Sequence, residues 1–338
     1  TRSTTDTLSI VGFRSDEGVR RNQGRPGARH APAAIRRALG PLALHARFAV
    51  HDAGDVAVKG FGLEPGQESL GKKIAALLPQ SGLVLVLGGG HETAYASYRG
   101  LAGSGLLEGR RLGILNLDAH FDLRDEEVPS SGTPFLQIAR DEEAAGRGFD
   151  YAVVGISPAN NTRVLFDTAE RLGVRHLRDD EAGLLQLERV RDFVRGFIDS
   201  VDVLYLTVDL DVLPAAVAPG VSAPAGYGVP FEVVHDVVRQ RLGFGAGLVT
   251  LIGSVLLGNN MVNILATSLA TALFTRVFGE SGVLSSARAR SAEMPTQMAL
   301  AMVPSPGTSR SGIHSRRTKS ATMIVMVPND SGTCAAKP

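Results

Sequence analysis

Cysteine is almost absent from this sequence. The one cysteine among 338 residues, Cys334, excludes a disulfide within the chain and a metal cluster held by several thiolates. A bound metal would therefore need oxygen and imidazole ligands. The composition also fits a reducing compartment, so we expect a cytoplasmic protein.

An excess of charge of either sign is also absent. The 35 lysine and arginine residues nearly balance the 34 aspartate and glutamate residues, and the formal net charge is +1. This balance gives no electrostatic reason to expect nucleic acid or an acidic membrane surface as a partner. Residues 1–6 are polar and lack the basic and apolar regions of a secretory signal. A small molecule is therefore the expected partner.

Short apolar runs alternate with helical patterns over residues 1–241. The runs predict strands at Leu8–Phe13, Phe48–His51, Leu83–Leu87, Leu112–Leu117, Tyr151–Ile156 and Val203–Val208. The helical patterns predict helices at Pro32–Leu39, Glu68–Leu78, after Thr93, and at Thr162–Leu172, Leu184–Ile198 and Phe231–Arg241. Continuous apolar strands separated by helices indicate an α/β fold in three layers, with a doubly wound parallel sheet between two layers of helices. We expect one such domain over residues 1–241.

Three of the predicted strands run into loops that are rich in metal-ligand side chains. These side chains are His91, Asp118, His120, Asp122, Asp209 and Asp211. In doubly wound sheets, ligands bind outside the carboxyl ends of the strands, so we predict that the three loops form one site. Four carboxylates and two imidazoles are enough for two adjacent divalent ions if two of the carboxylates bridge the ions.

Each motif taken alone has a structural explanation. Gly-Gly-Gly-His is usually a turn, and Asp-X-Asp at a strand end is more often a helix cap or a solvated loop. Four clustered carboxylates, however, would repel one another without cations between them. The occurrence of all three motifs in one α/β chain therefore favours a metal site.

The motifs resemble those of the ureohydrolase superfamily, which comprises arginase, agmatinase and formimidoylglutamase. In that superfamily, Gly-Gly-x-His, Asp-Ala-His-x-Asp and Asp-x-Asp carry a binuclear manganese centre, and the segment 209–224 strengthens the likeness. The resemblance covers about Leu8 to Arg241 and implies an arginase-like fold with two Mn2+ per subunit. Carried over by position, one ion would be bound by His91 and Asp122, the other by His120 and Asp211, with Asp118 and Asp209 bridging both.

Within the superfamily, other segments are similar to formimidoylglutamases. These segments are Gly12–Arg25, Ser130–Phe135 and Asn160–Thr162. Arginases have a proton-shuttling histidine in the loop where this chain has Phe135. A solvated, turn-rich loop is the structural explanation of Arg14–Arg25, and agmatinase or a guanidino-acid hydrolase is the alternative enzyme.

The resemblance implies the hydrolysis of N-formimidoyl-L-glutamate to L-glutamate and formamide in histidine degradation. A hydroxide that bridges the two ions would be the nucleophile, and Asp122 would orient it and take up its proton. The dicarboxylate substrate would need donors, and the candidates are Arg124, Ser131, Thr133 and Asn161. For Arg124 an ordinary surface position is the alternative. Related enzymes assemble into oligomers, so a homo-oligomer is expected.

The resemblance stops after Arg241. The closing strand with its acidic motif and the closing helix are missing, and Leu242–Thr275 has no charged residue. We divide the remainder into residues 242–283 and residues 284–338. The former are long and apolar enough to span a bilayer, and around Leu257–Ala266 they resemble a membrane segment of the CNNM/CorC family. The latter show no helical or strand period, so we expect a disordered tail.

Three explanations of this C-terminal region compete. It is a gene junction or frameshifted segment, a membrane anchor, or a soluble substitute in which Leu248–Leu257 takes the place of the missing strand. Two successive changes of composition favour the junction. We therefore expect that all metal ligands are encoded but that activity is impaired. The alternative of a different class is a membrane-associated chain that binds metal without turning over substrate.

Overall fold

The computed structural model of the chain describes residues 7–41, 49–239 and 322–328. The strands are β1 (Thr7–Arg14), β2 (Ala49–Ala57), β3 (Leu83–Leu87), β4 (Leu112–Leu117), β5 (Asp150–Ile156), β6 (Arg175–Arg178), β7 (Val203–Asp209) and β8 (Thr322–Pro328). The helices are α1 (Glu17–Arg21), α2 (Ala31–Leu39), α3 (Leu63–Leu77), α4 (Thr93–Ala102), α5 (Pro134–Ala144), α6 (Arg163–Arg171), α7 (Leu187–Ile198) and α8 (Phe231–Arg239).

The strands form one sheet in the order β2-β1-β3-β8-β7-β4-β5-β6. The pairs β1–β2, β1–β3, β4–β5, β4–β7 and β5–β6 are all parallel. Strand β8 lies between β3 and β7 and is antiparallel to both. The predicted parallel sheet is thus confirmed for seven strands, and one antiparallel strand joins its two halves.

Helices cover both faces of the sheet, which confirms the three-layer arrangement. In β3, Val84 and Val86 belong to a core formed with α3, α4, α5 and α6, whereas Leu83, Leu85 and Leu87 belong to a core formed with α2, α7 and α8. Because successive side chains of a strand point to opposite faces, a strand buried on both faces needs an uninterrupted apolar run. All five residues of β3 are buried.

Strand β8 corrects the expectation that no strand follows Val283. Thr322–Pro328 occupies the central position of the sheet, where β3 and β7 each need a partner for their backbone groups. Its sequence, Thr-Met-Ile-Val-Met-Val-Pro, is the continuous apolar run that such a position requires. This run was hidden by the polar composition of residues 284–338 taken as a whole.

Other expectations for the C-terminal region fall outside the described residues. These are the apolar segment 242–283, the replacement strand at Leu248–Leu257 and the absence of a closing helix. In the part of the chain that the structure describes, no helix combines the length and apolar character needed to cross a membrane.

The sheet brings the three ligand-bearing loops to one edge. Strand β4 pairs with β7 in a register that places Leu117 opposite Val208, so the loops after these strands start side by side. The end of β3 is one strand further away, because Leu87 and Val208 both pair with Met323 of β8. The loop after β3 must therefore cross the end of β8, about 10 Å, to reach the other two.

Candidate metal centre

Glycine in the loop after β3 allows a close approach to Ser15, which follows β1. The backbone N–H of Gly90 donates to the carbonyl oxygen of Ser15 at 3.2 Å. A Cβ on Gly89 would lie 1.8 Å from the same oxygen, so a larger residue could not pack here. The turn presents His91 to the site with 3% of its side chain exposed.

Five of the six predicted ligands form two groups that share Asp118. In the first group, Nδ1 of His91 lies 3.0 Å from Oδ2 of Asp118 and 2.8 Å from Oδ2 of Asp122. In the second group, Nδ1 of His120 lies 3.4 Å from Oδ1 of Asp118 and 3.1 Å from Oδ2 of Asp211. Each set of three has its ligand atoms within 4.8 Å of one another, which is close enough to hold a metal ion. The two oxygens of Asp118 thus face different histidines.

Asp209, the sixth predicted ligand, lies beside the first group, and the backbone of Asp122 has an uncommon conformation. Oδ2 of Asp209 lies 3.6 Å from Nδ1 of His91, and Oδ1 accepts a hydrogen bond from the backbone N–H of Asp211 at 3.1 Å. Asp122 has φ = 50°, a left-handed conformation that is uncommon for a residue with a Cβ. Its carbonyl oxygen accepts from the N–H of Phe135 at 3.2 Å, which helps to hold this backbone.

Polar side chains within the buried strands orient these ligands. Oγ1 of Thr207 lies 3.1 Å from Nε2 of His91. Asn116 donates from Nδ2 to Oδ2 of Asp118 at 3.0 Å and to the hydroxyl of Tyr151 at 3.0 Å. Sequence reasoning did not identify Asn116, Thr207 or Tyr151. For Asn116 and Thr207 the available signal was a polar residue two positions before a ligand in an otherwise apolar strand, which places both side chains on one face.

The carboxyl groups of the cluster have shifted pKa values. Burial raises the pKa of Asp209, and the charge of Asp211 raises it further. Burial also raises the pKa of Asp211 to about 6. Burial, together with the charge of Asp118, raises the pKa of Asp122. Asp118 differs because hydrogen bonds from His120 and His91 outweigh burial and hold its pKa below its usual range.

The two imidazoles shift in the direction that their carboxylate neighbours favour. Burial opposes the charged form of His91, but hydrogen bonds to Asp118 and Asp122 outweigh it and raise its pKa. Burial likewise opposes the charged form of His120, and the charges of Asp211 and Asp118 outweigh it. Without a metal, the two imidazoles of the cluster therefore retain their protons, and their positive charge stabilises the neighbouring carboxylates.

This chemistry fits a site for divalent cations. Carboxylate oxygens and imidazole nitrogens are the donors that manganese binds readily. The pKa values of Asp122, Asp209 and Asp211 are raised, which shows that these buried carboxyl groups lack enough neighbouring positive charge. A cation would satisfy them without protonation.

A cavity of ≈ 220 Å³ opens over the cluster and contains some of the predicted substrate contacts. Arg124 and Ser131 line it, together with His91, His120, Asp122, Asp209 and Asp211. Arg124 is about half exposed, and its Nη1 lies 3.5 Å from Oε1 of Glu126. The hydroxyl of Ser131 accepts a hydrogen bond from Nδ2 of Asn22 at 3.1 Å.

Two other predicted substrate contacts lie behind the cavity wall. Asn161 donates to the carbonyl oxygens of Ala119 and Ser157 at 2.8 and 2.9 Å, and its Oδ1 accepts from the N–H of Phe121. Thr133 is 2% exposed and donates to the carbonyl oxygen of Ser130 at 3.1 Å. Both side chains therefore brace the loops that carry the ligands and Ser131.

Comparison with known proteins agrees with this geometry. A profile of the arginase family matches residues 6–253. The formimidoylglutamase of Rhodococcus opacus (strain B4) is 56% identical over 229 residues, which cover 68% of this chain and 72% of that protein. The formimidoylglutamase of Chromobacterium violaceum is 50% identical over 228 residues, covering 68% of this chain and 73% of that protein.

Solved structures show the same fold at lower sequence identity. A Trypanosoma cruzi formiminoglutamase crystallised with Mn2+ has a TM-score of 0.62 and 22% identity, and the match covers 77% of this chain and 96% of that chain. An arginase from Bacillus subtilis has a TM-score of 0.58 and 22% identity, with 74% of this chain and 98% of that chain covered. These two matches support the arginase-like architecture of the sheet and helices.

Proposed function

This chain belongs to the arginase family, and we propose that it hydrolyses N-formimidoyl-L-glutamate to L-glutamate and formamide, a step of histidine degradation. The observation that carries the proposal is the shared carboxylate of Asp118. It joins the His91–Asp122 pair to the His120–Asp211 pair beneath one cavity. The relatives named formimidoylglutamase support this choice of substrate within the family.

The same geometry supports two Mn2+ per subunit. His91 and Asp122 would bind one ion, His120 and Asp211 the other, and Asp118 and Asp209 would bridge both. Bound Mn2+ supplies Lewis acidity, which lowers the pKa of water and allows hydrolysis near neutral pH.

Asp122 is the residue that we assign to proton transfer. Its carboxylate lines the cavity beside the proposed ion sites, within reach of a water bound there. It can orient the attacking water and accept its proton. The same carboxyl group can then give the proton to the amine that leaves when the tetrahedral intermediate collapses.

Arg124 and Ser131 are the proposed direct contacts of the substrate. Both line the cavity, and a guanidinium can bind a carboxylate through two hydrogen bonds. Thr133 and Asn161, proposed from the sequence as further contacts, would act on the substrate through the loops that they brace.

Strand β8 gives a reason to expect reduced turnover. Superfamily members carry an acidic residue on the closing central strand, and Thr322–Pro328 has none. Residues 1–241 would then be the part of the α/β domain that supplies the site, and Thr322–Pro328 would complete its sheet beyond the apolar segment 242–283. Cytoplasmic location and homo-oligomeric assembly stay predictions, and fractionation and size-exclusion chromatography would test them.

Substrate turnover tests the proposed function directly. We would purify the full chain, load it with Mn2+ and measure formamide release from N-formimidoyl-L-glutamate, with urea release from arginine and agmatine measured in parallel. Faster turnover of the formimino substrate is the expected result. Preference for agmatine or arginine would overturn the substrate assignment. Absence of turnover with all three substrates would overturn the catalytic function and favour a chain that only binds metal.

A further inference from the structure

One stretch of the chain near its N-terminus forms part of the cavity wall. We call Ser15–Arg25 the wall segment, because Val19, Asn22, Gln23 and Gly24 within it line the cavity. Gln23 has φ = 57°, so the backbone at this point of the wall is in an uncommon conformation. The position of this segment therefore sets the width of the cavity opposite the metal ligands.

Glu92 connects the wall segment to the loop after β3, which carries His91 and which we call the metal loop. It follows His91 directly and is completely buried. Its Oε1 accepts hydrogen bonds from the hydroxyl of Ser15 at 2.7 Å and from the backbone N–H of Gly18 at 3.1 Å. One carboxylate oxygen thus holds both the start of the wall segment and the first turn of α1.

Packing around Glu92 is close enough to require glycine at two neighbouring positions. A Cβ on Gly18 would lie 2.6 Å from Cβ of Glu92, and a Cβ on Gly90 would lie 2.1 Å from its Oε2. Oε2 has no hydrogen-bond partner among the residues that the structure describes. Burial of a carboxylate with one unsatisfied oxygen is costly for folding, and such a cost is a common feature of residues kept for function.

We propose that Glu92 is a positioning residue that fixes the wall segment to the metal loop and thereby sets the shape of the substrate cavity. The assigned role is to hold the wall, and Glu92 itself contacts neither the cations nor the substrate. The choice of substrate in the kinetic test below rests on the proposed function, whereas the hydrogen-exchange test does not depend on it.

Further hydrogen bonds transmit the position of the wall segment to the proposed substrate contacts. The carbonyl oxygen of Gly18 accepts from the N–H of Ser131 at 3.1 Å, and Nη1 of Arg21 donates to the carbonyl oxygen of Pro129 at 3.0 Å. In the same loop, the backbone N–H of Arg124 donates to the carbonyl oxygen of Gly132 at 2.9 Å. Displacement of Gly18 would therefore also displace the loop that carries Ser131 and Arg124.

Hydrogen exchange of the full-length, Mn2+-loaded chain tests the structural part without substrate. In Glu92→Leu, we expect amides of the wall segment to exchange at least about tenfold faster, because the substitution removes the acceptor of two hydrogen bonds. Peptides from β7 and the bound manganese content should be unchanged. Unchanged exchange in the wall segment, or loss of manganese as the main effect, would overturn the proposal.

Kinetics separate positioning from a general loss of stability. Glu92→Leu should raise KM about tenfold while kcat changes less than about threefold, and Glu92→Gln, whose Oε1 can still accept both hydrogen bonds, should recover most of the KM. Gln67→Leu is the matched control, because Gln67 is buried and donates to the carbonyl oxygen of Glu92 at 2.9 Å from α3. This control should lower the midpoint of unfolding with KM unchanged.

The outcomes of the two tests are distinguishable. If Gln67→Leu raised KM as much as Glu92→Leu, the effect would be general destabilisation and the proposal would fail. If the unsubstituted chain turned over no substrate, the proposed function would fail. Faster exchange confined to the wall segment of Glu92→Leu would then still support the positioning role.

Discussion

The hydroxyl of Thr207 lies 3.1 Å from Nε2 of His91, on the side of the ring away from the carboxylates. When Nδ1 binds a cation, Nε2 must carry the proton, and it can donate that proton to Oγ1 of Thr207. The contact therefore fixes both the orientation of the ring and the tautomer that a metal ligand requires.

Substitution of Thr207 by valine should weaken metal binding. Valine keeps the shape and removes the acceptor for Nε2, so we expect Mn2+ affinity to fall about 10- to 100-fold. Competition with a chelator of known affinity measures the change. Thr207→Ser keeps the hydroxyl and should bind Mn2+ almost as tightly as the unsubstituted chain. Equal affinity of the valine and serine variants would contradict the assigned tautomer.

Removal of the metal should destabilise the protein, and the effect should depend on pH. In the metal-free protein, the pKa of Asp211 is about 6 against an ordinary value of 3.8. The pKa values of His91 and His120 lie above their ordinary 6.5. All three groups bind protons more tightly in the folded chain than in the unfolded chain. The stability that they contribute is complete below the ordinary pKa values and is lost as pH rises through the folded values.

We therefore expect the free energy of unfolding of the metal-free chain to fall from about pH 4 upward through Asp211 and again above about pH 6.5 through the histidines. Metal ligands must be deprotonated, so stabilisation by Mn2+ should increase over the same range. At a free Mn2+ concentration of 100 times Kd it should reach about 2.7 kcal/mol. Urea unfolding with and without a chelator at several pH values measures both trends. Equal curves with and without Mn2+ would rule out binding at this cluster.

Replacement of Arg124 by methionine should weaken the binding of a dicarboxylate substrate. Methionine retains much of the apolar side chain and removes the charge, so KM should rise about tenfold with little change in kcat. Arg140→Met is the control, because Arg140 is exposed and pairs with Asp125 at 2.8 Å, outside the residues that line the cavity. An equal KM for both variants would show that Arg124 is an ordinary surface residue that does not contact the substrate.

A proline in β8 should test whether this strand holds the two halves of the sheet together. Val325 pairs with Leu85 of β3 and Leu206 of β7, so its backbone lies in the middle of the sheet. Val325→Pro removes a backbone donor there and leaves its acceptor unsatisfied, which should destabilise the protein by about 1–3 kcal/mol. The midpoint of urea unfolding measures this loss, and an unchanged midpoint would place another segment between β3 and β7.

Much of the fold could be predicted from local patterns. The bounds of β3 and β4 agree with the apolar runs at Leu83–Leu87 and Leu112–Leu117. Strand β6, with the sequence Arg-His-Leu-Arg, was missed because an edge strand needs few apolar residues. Helix α5 was missed because Pro134 opens it directly after a polar loop. Helix α3 was predicted too late, since Pro65 and Gly66 within its first turn hid its start.

The sequence by itself determined the chemistry of the site. Asp118, His120 and Asp122 alternate directly after a buried strand, so all three lie in the loop at the carboxyl end of that strand. The parallel sheet then brings the ends of neighbouring strands together, so the identity of the other ligands could also be predicted from their loops.

Only the tertiary structure decided how these residues are held and which of them face the cavity. Asn161 and Arg124 are both polar loop residues, but Asn161 satisfies backbone groups of the loop after β4 while Arg124 lines the cavity. The direction of β8 and the contact of Glu92 with Gly18 also depend on segments far apart in the chain. Local sequence patterns carry no information on such contacts, because long-range packing and hydrogen bonding determine them.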